Sequence, residues 1–266
     1  MYGMDHVQRL SFGGVAALYD RARPSYPAAL VEDVIDLAPL GAPLRALEIG
    51  AGTGKATELF ARHGVAVHAI EPSLEMAEVA ALRLAELPGV TLECCDFEEW
   101  DGEDVTFPLI YAAQAWHWVE PETGYVKARS LLQAGGLLAA FWNRPKWDSC
   151  PWREELIDAY MRALPDRSAE DPMHPAAASD PDVWEEWARA IEGTPGLGRP
   201  KVRGYGWAQR YSTGEYLQLL QTHSPNIMLS NERLETLLIE VGRVLDAHGG
   251  EFELNYVTWL YLARAQ

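Results

Sequence analysis

ALEIGAGTGKAT, residues 46–57, is the stretch on which the fold turns. The apolar residues Ala46, Leu47 and Ile49 are interrupted by Glu48 and run straight into Gly50, Gly52 and Gly54, followed by Lys55. That reads as a short strand over Arg45–Ile49, a bare loop, and a helix over Thr53–Arg62 with Leu59 and Phe60 on one side. Glycines at this turn let a ligand or the next helix approach the backbone closely. A Walker phosphate loop is excluded, because it needs glycine at 49 and Ser or Thr at 56, where the chain has Ile49 and Ala56. Lys55 then loses any phosphate role and reads as a solvated helix residue. A dinucleotide fingerprint fits Gly50 and Gly52 but needs glycine at 55. A helix N-terminus can hold an anion. An acid two residues before the first glycine, however, repels a pyrophosphate and attracts a cationic ammonium group. The residues lean toward a positively charged, nucleoside-bearing ligand, with a ligand-free tight turn as the alternative. Glu71 ends the second strand, where an acid can accept both hydroxyls of a ribose.

Outward from the loop, strand and helix patterns alternate. Val65–Ile70, Val90–Cys94, Leu109–Ala113 and Leu137–Trp142 read as strands, the last after a Gly135-Gly136 turn. A helix from Ser73 to Leu84 has Ser73 as N-cap and Pro72 as breaker. Pro121–Leu132 is the helix before the fifth strand. The alternation predicts an α/β fold, a doubly wound, mostly parallel sheet covered on both faces. Two helices, Val7–Tyr19 and Pro27–Leu37, flank YDRARPSYP (19–27). Past residue 145 the alternation stops. Residues 147–200 carry helical pieces at Arg153–Ala163 and Pro181–Ile191 but no apolar period long enough for a separate core. Residues 201–207 read as a strand, and 214–222 and 231–248 as helices. Glu251–Ala263 reads as a last strand, with Phe252, Leu254 and Tyr256 on one side and Val257, Trp259 and Tyr261 on the other. The expected organisation is an N-terminal helical segment (1–40), a ligand-binding core (41–146), an insertion or cap (147–200), and C-terminal strands and helices completing the same domain (201–266).

The chain has 266 residues, 48% of them apolar, enough for a substantial core. Its longest apolar runs, such as LLAAFW (137–142), are too short to span a bilayer. No secretory layout opens the sequence. A cytoplasmic protein with no membrane association is expected. Three cysteines, two of them adjacent, make no disulfide framework, and no Cys/His group has metal spacing. A net charge of −17 disfavours nucleic acid as a partner. A monomer or homodimer is expected.

Four stretches in order, ALEIGAGTGKAT, AIEPSLEM (69–76), CDFEEW (95–100) and LIYAAQAWHWV (109–119), resemble the successive motifs of class I S-adenosylmethionine-dependent methyltransferases. With YDRARPSYP before them, they are similar to the small-molecule branch of trans-aconitate methyltransferase-like proteins. The resemblance covers roughly residues 10–145, and 201–263 more weakly. It implies a Rossmann-like sheet of seven strands with the last antiparallel, and a cap over the substrate. S-adenosylmethionine would be the cofactor and S-adenosylhomocysteine the product. Glu48 and the backbone of Gly50, Ala51, Gly52 and Gly54 would border the methionine part. Glu71 would take the ribose hydroxyls, with Pro72 and Met76 near the adenine. Asp96 would accept from the adenine amino group, and Phe97 would pack on the ring. Gln114 would line the sulfonium end, and Tyr19 and Arg23 would close over the cofactor and meet its carboxylate.

The reaction implied is an in-line methyl transfer to a small-molecule acceptor, a carboxylate or hydroxyl, with O-methylation favoured. Trp116, His117 and Trp118 follow the fourth strand, where ligands sit in open α/β sheets. An indole beside a sulfonium gains about 0.5–2 kcal/mol. His117 is the candidate catalytic base or carboxylate-orienting group; core packing is its alternative. Trp116, His117, Trp118, Asn143, Arg144 and Tyr205 form the expected acceptor set, Arg144 suiting a carboxylate bidentately. Trp184 and Trp187 have the spacing of ordinary helix packing. The rivals are a non-catalytic S-adenosylmethionine-binding or regulatory subunit and an NAD(P)-dependent oxidoreductase.

Overall fold

A computed structural model describes residues 15–39, 44–102, 105–167, 173–177 and 185–266. The first part of the helix expected over Val7–Tyr19, the start of that over Pro181–Ile191, Trp184 and the Trp187 side chain lie outside the described residues. Two helices, α1 (Ala16–Ala22) and α2 (Ala28–Leu37), precede β1 (Arg45–Ile49). Then follow α3 (Lys55–Arg62), β2 (Ala66–Ile70), α4 (Leu74–Leu84), β3 (Val90–Glu93) and β4 (Phe107–Ala113). Next come α5 (Pro121–Leu131), β5 (Leu132–Lys146), α6 (Arg153–Ala163) and α7 (Glu185–Gly193). The chain ends with β6 (Lys201–Ser212), α8 (Thr213–Gln221), α9 (Ser224–Ile227), α10 (Asn231–Ala247) and β7 (Glu251–Arg264).

The strands form one seven-stranded sheet in the order β3-β2-β1-β4-β5-β7-β6. β1 to β5 pair in parallel, and β7 runs antiparallel to both its neighbours, β5 and β6. The last strand is therefore the reversed one, as the family resemblance implied. The order reverses at β1, so the crevice beyond the carboxyl ends of β1 and β4 is the natural ligand position.

β5 shows why its sequence is a continuous apolar run. Leu138, Ala140 and Trp142 face one core, with Leu47, Ile49, Ile70 and Tyr261. Leu137, Ala139 and Phe141 face the other, with Leu30, Phe60, Tyr111 and Leu260. A strand covered on both faces has no polar side to display. Phe60 stacks on Tyr111 with ring centroids 4.1 Å apart, and so fastens α3 to the sheet. A third cluster joins Trp147, Leu156 and Tyr160 to Tyr216, Leu220, Leu237 and Tyr256. Residues after β5 thus complete a cap core together with the C-terminal helices.

One expectation is corrected. Gly135-Gly136 is not a turn before the strand but a bulge inside it. Leu132 already pairs with Phe107, and pairing resumes at Leu109 with Leu137. Gly135 takes φ +74° to let the chain loop out and return. Elsewhere the boundaries agree within a few residues. Ser73 caps α4 as expected, its Oγ accepting from the Met76 N–H at 3.3 Å. Among the described residues no helix is long and apolar enough to cross a membrane.

Phe60 has no exposed surface, so Phe60→Ala should cost about 3–5 kcal/mol of stability. The expected result is a lowered urea midpoint with an unchanged slope.

Candidate functional site

The glycine loop is held from below by β2. Gly50 and Ala51 both donate their N–H to the Ile70 carbonyl, at 2.9 and 3.0 Å, and Gly54 donates to Ala51 at 2.9 Å. Gly52 donates to Glu71 Oε2 at 2.7 Å. Four loop N–H groups are thus already used within the protein. Glycine is required at 50 and 52 for different reasons. A Cβ at Gly50, φ +70°, would stand 2.5 Å from the Ala115 Cβ. At Gly52, φ +59°, a Cβ would meet no protein atom within 4 Å, because a crevice opens there.

That crevice spans about 560 Å³, counting the part that is open to solvent. Its floor is the loop from Gly50 to Ala56. Tyr19, Arg23, Pro24 and Tyr26 form one wall, from α1 and the strap that joins it to α2. Ala113, Gln114 and Asn143 lie at the strand ends, and Met173, Leu219 and Tyr256 close the cap end. Gln114 is the described non-glycine residue with left-handed backbone, φ +59°, its N–H donating to Phe141 O at 2.8 Å. Backbone in this sparsely populated region persists only where its surroundings over-determine it.

Arg23 and Lys55 are the charged residues among the described crevice walls, and both are cations. Arg23 donates to the Thr222 hydroxyl at 2.9 Å and carbonyl at 2.8 Å, and its guanidinium lies 5.0 Å from the Tyr19 ring centroid. Lys55 is not the solvated residue its helical position suggested. Its side chain is 18% exposed and stands 4.0 Å from Asp20 of α1. Burial lowers its pKa, with Asp20 opposing. Asp20 is also held by Arg83 at 2.6 Å, and Arg83 donates to Thr53 O at 3.0 Å. These contacts dock α1 onto the glycine loop.

The two acids of the sequence motif lie beneath and beside the loop. Glu48 is fully buried. Its Oε2 accepts from Thr57 Oγ1 at 2.6 Å and from the Tyr111 hydroxyl at 2.8 Å. Its Oε1 is buried with no hydrogen-bond partner. Burial, against those two hydrogen bonds, pushes its pKa up to about 8. Glu48 does not form part of the crevice wall. Glu71 accepts from Gly52 and, through Oε1, from the Ser73 N–H at 2.9 Å. Pro72 and Met76 follow β2, Asp96 and Phe97 follow β3, and none of the four lines the crevice. Met76 and Phe97 are buried, and Lys127 Nζ lies 5.3 Å from the Phe97 ring centroid.

The expected acceptor set divides. Asn143 lines the crevice. Trp116 is buried in the sheet core, edge-on to Tyr125 at 5.0 Å. His117 is next to the half-buried Trp118, ring centroids 4.7 Å apart. Its Nδ1 accepts from Trp142 Nε1 at 3.2 Å. Burial, then the Arg144 and Arg23 guanidinium groups, push its pKa down to about 3. The imidazole is neutral near pH 7, and with Nδ1 engaged as acceptor its proton sits on Nε2. This favours an orienting donor over a general base. Arg144 is buried, with Nη1 donating to Asn143 O at 3.0 Å. Tyr205 is outside the crevice walls, its hydroxyl donating to Asp33 Oδ2 of α2 at 2.6 Å. Sequence reasoning missed Met173, Leu219 and Tyr256, which carry no local motif, and Tyr26, although it lies within the quoted YDRARPSYP. For Lys55 a signal existed: the first residue of a helix that begins at a ligand loop.

Residues 46–136 match the family described as "Methyltransferase domain". An uncharacterized methyltransferase of Mycobacterium tuberculosis is 39% identical over 147 residues, 55% of this chain and 57% of the relative. Trans-aconitate 2-methyltransferase of Pseudomonas paraeruginosa is 32% identical over 139 residues, 51% of this chain and 48% of the relative. These alignments thus span about half the length of the curated relatives. Residues 46–136, which hold the glycine loop, are a methyltransferase domain of the class I S-adenosylmethionine-dependent kind. A structure from Anaeromyxobacter dehalogenans, put forward as a type II methyltransferase, shares the fold at a TM-score of 0.62 and 18% identity, covering 91% of this chain and 97% of that one. The matched methyltransferase domain holds the loop and Gln114 but ends before Asn143, Met173, Leu219 and Tyr256.

Glu48 gives a pH test. The unfolded group titrates near 4.5 and the folded one near 8. The folded state keeps a proton that the unfolded state has lost, so this contribution to stability falls as pH rises from about 5 to 8, by at most about 1.4 kcal/mol per pH unit. Glu48→Gln, neutral throughout, should gain stability relative to the parent across that window. Urea unfolding at pH 5, 6, 7 and 8 measures it; parallel pH curves would refute it.

Proposed function

We propose that this chain binds S-adenosylmethionine in the crevice and transfers its methyl group to a small acceptor carrying a carboxylate or hydroxyl, by O-methylation. The observation that carries this reading is the charge of the walls. A chain of net charge −17 presents Arg23 and Lys55, and no described acid, to this crevice. Such walls suit the carboxylate of an amino-acid tail and an anionic acceptor. The residues fit the cofactor in one further way: open space adjoins Gly52, where the loop backbone lies bare to the crevice. The dinucleotide rival is weakened on the same ground. A diphosphate needs free loop N–H donors, and those of Gly50, Ala51, Gly52 and Gly54 are spent.

The cofactor, when bound, supplies a methyl group already activated by its sulfonium, so no protein nucleophile is required. The chain's own task is alignment and exclusion of water, to which orientation contributes on the order of 7–11 kcal/mol. Arg23 and Lys55 hold carboxylate. The strap and the cap residues Leu219 and Tyr256 cover the crevice. Asn143 and Gln114 offer amide groups at the strand ends, and neutral His117 orients the acceptor side. Trans-aconitate methyltransferase similarity supports a small polycarboxylate or related acid as acceptor class.

Calorimetry with S-adenosylhomocysteine, S-adenosylmethionine and NAD(P) tests the reading. The first two should bind and the last should not; binding of NAD(P) alone would overturn it. Binding without S-adenosylhomocysteine release across a panel of carboxylic acids and phenols would favour a non-catalytic subunit. Arg23→Ala should weaken S-adenosylhomocysteine about tenfold or more, the loss expected for a hydrogen-bonded charge.

A further inference from the structure

A directional hydrogen-bond relay runs from the sheet edge to the strap. Trp207 of β6 donates its indole N–H to Thr258 Oγ1 at 2.8 Å. Thr258 of β7, fully buried, donates to Asn143 Oδ1 at 2.7 Å. Asn143 Nδ2 donates to the Ser25 carbonyl of the strap at 3.0 Å. Asn143 and Thr258 are paired across β5 and β7, so their side chains share a face.

Donor chemistry gives the chain one direction. An indole nitrogen can only donate, so the Thr258 oxygen accepts there and its single hydrogen turns to Asn143. That places the Asn143 carbonyl oxygen toward Thr258 and its NH₂ toward Ser25. Flipping the amide would set two carbonyl oxygens against each other at Ser25. Trp207 also stacks on Tyr256, 4.5 Å between centroids at 13°, and Tyr256 lines the crevice.

We propose that Thr258 and Trp207 are positioning residues: by fixing the Asn143 amide they hold the strap shut over the glycine loop and so set how tightly the cofactor is retained. Neither lines the crevice, and both lie outside the matched methyltransferase domain. Asp20–Arg83 and Arg23–Thr222 dock α1 and the start of the strap; the relay secures its middle. This inference rests on the cofactor reading above, and its test has one arm that does not.

The probes are S-adenosylhomocysteine and trypsin. Thr258→Val keeps the shape and removes the hydroxyl; Thr258→Ser restores it. Thr258→Val should weaken S-adenosylhomocysteine about tenfold and, without ligand, speed cleavage after Arg21, the exposed arginine of α1. Thr258→Ser should return both readings to those of the parent. Trp207→Phe, which keeps a ring on Tyr256, should move both in the same direction by less. A Thr258→Val protein matching the parent within twofold in binding and in cleavage rate would overturn the relay. Should the parent not bind S-adenosylhomocysteine at all, the cofactor reading fails, and the ligand-free cleavage rates alone decide the relay.

Discussion

The fold at the crevice depends on one carboxylate gripping two backbone amides. Glu71 accepts from Gly52 in the loop and from Ser73 at the head of α4. It thereby ties the loop after β1 to the turn after β2. Together with the Ile70 carbonyl it takes up the N–H groups of Gly50, Ala51 and Gly52. The first half of the loop is consequently a shelf whose own donors are already engaged. A ligand resting on it must draw its charge recognition from the walls. If Glu71 takes ribose hydroxyls, it does so from a position already fixed by the loop.

Charge is partitioned accordingly. Glu48 sits below the shelf, bonded to Thr57 and Tyr111, and burial favours its neutral form. The attraction for an ammonium group inferred from its place in the sequence therefore cannot act as a full negative charge facing the ligand. What faces the ligand is positive. Arg23 and Lys55 stand out because the surrounding chain is strongly acidic. Lys55 is steadied by Asp20, which a second cation, Arg83, holds in place. The cations that would bind carboxylate are thus the same ones whose partners dock α1.

How much of this was readable in the sequence depended on the range of the interaction. The Ser73 cap and the apolar β5 follow from neighbours in sequence or from strand periodicity, the reversed last strand only from the family resemblance, and all are present. The Gly135-Gly136 bulge was misread because a pair of glycines looks the same whether the strand begins after it or loops around it. Only the Phe107–Leu132 pairing distinguishes the two. Lys55 was misread because helix position says nothing about Asp20, thirty-five residues away. Tyr205 was expected in the acceptor set; its hydroxyl instead meets Asp33 of α2. The cap end could not have been found locally: Leu219 and Tyr256 meet through the third core, and Met173 joins them only at the crevice.

The crevice therefore has two halves of different origin. The floor comes from the contiguous methyltransferase domain, and its geometry is set by short-range backbone bonds. The cap end is assembled from the tip of β5, the residues after it, α8 and β7, joined by aromatic packing. Asn143 stands at the seam, reaching the strap with its nitrogen and β7 with its oxygen. A side chain so placed cannot respond to one half without the other. Displacing the cap strands rotates the amide, and rotating the amide releases the strap carbonyl. Retention of what lies on the shelf is on this account a property of the sheet's far edge, although no residue of that edge's outer strand touches the crevice.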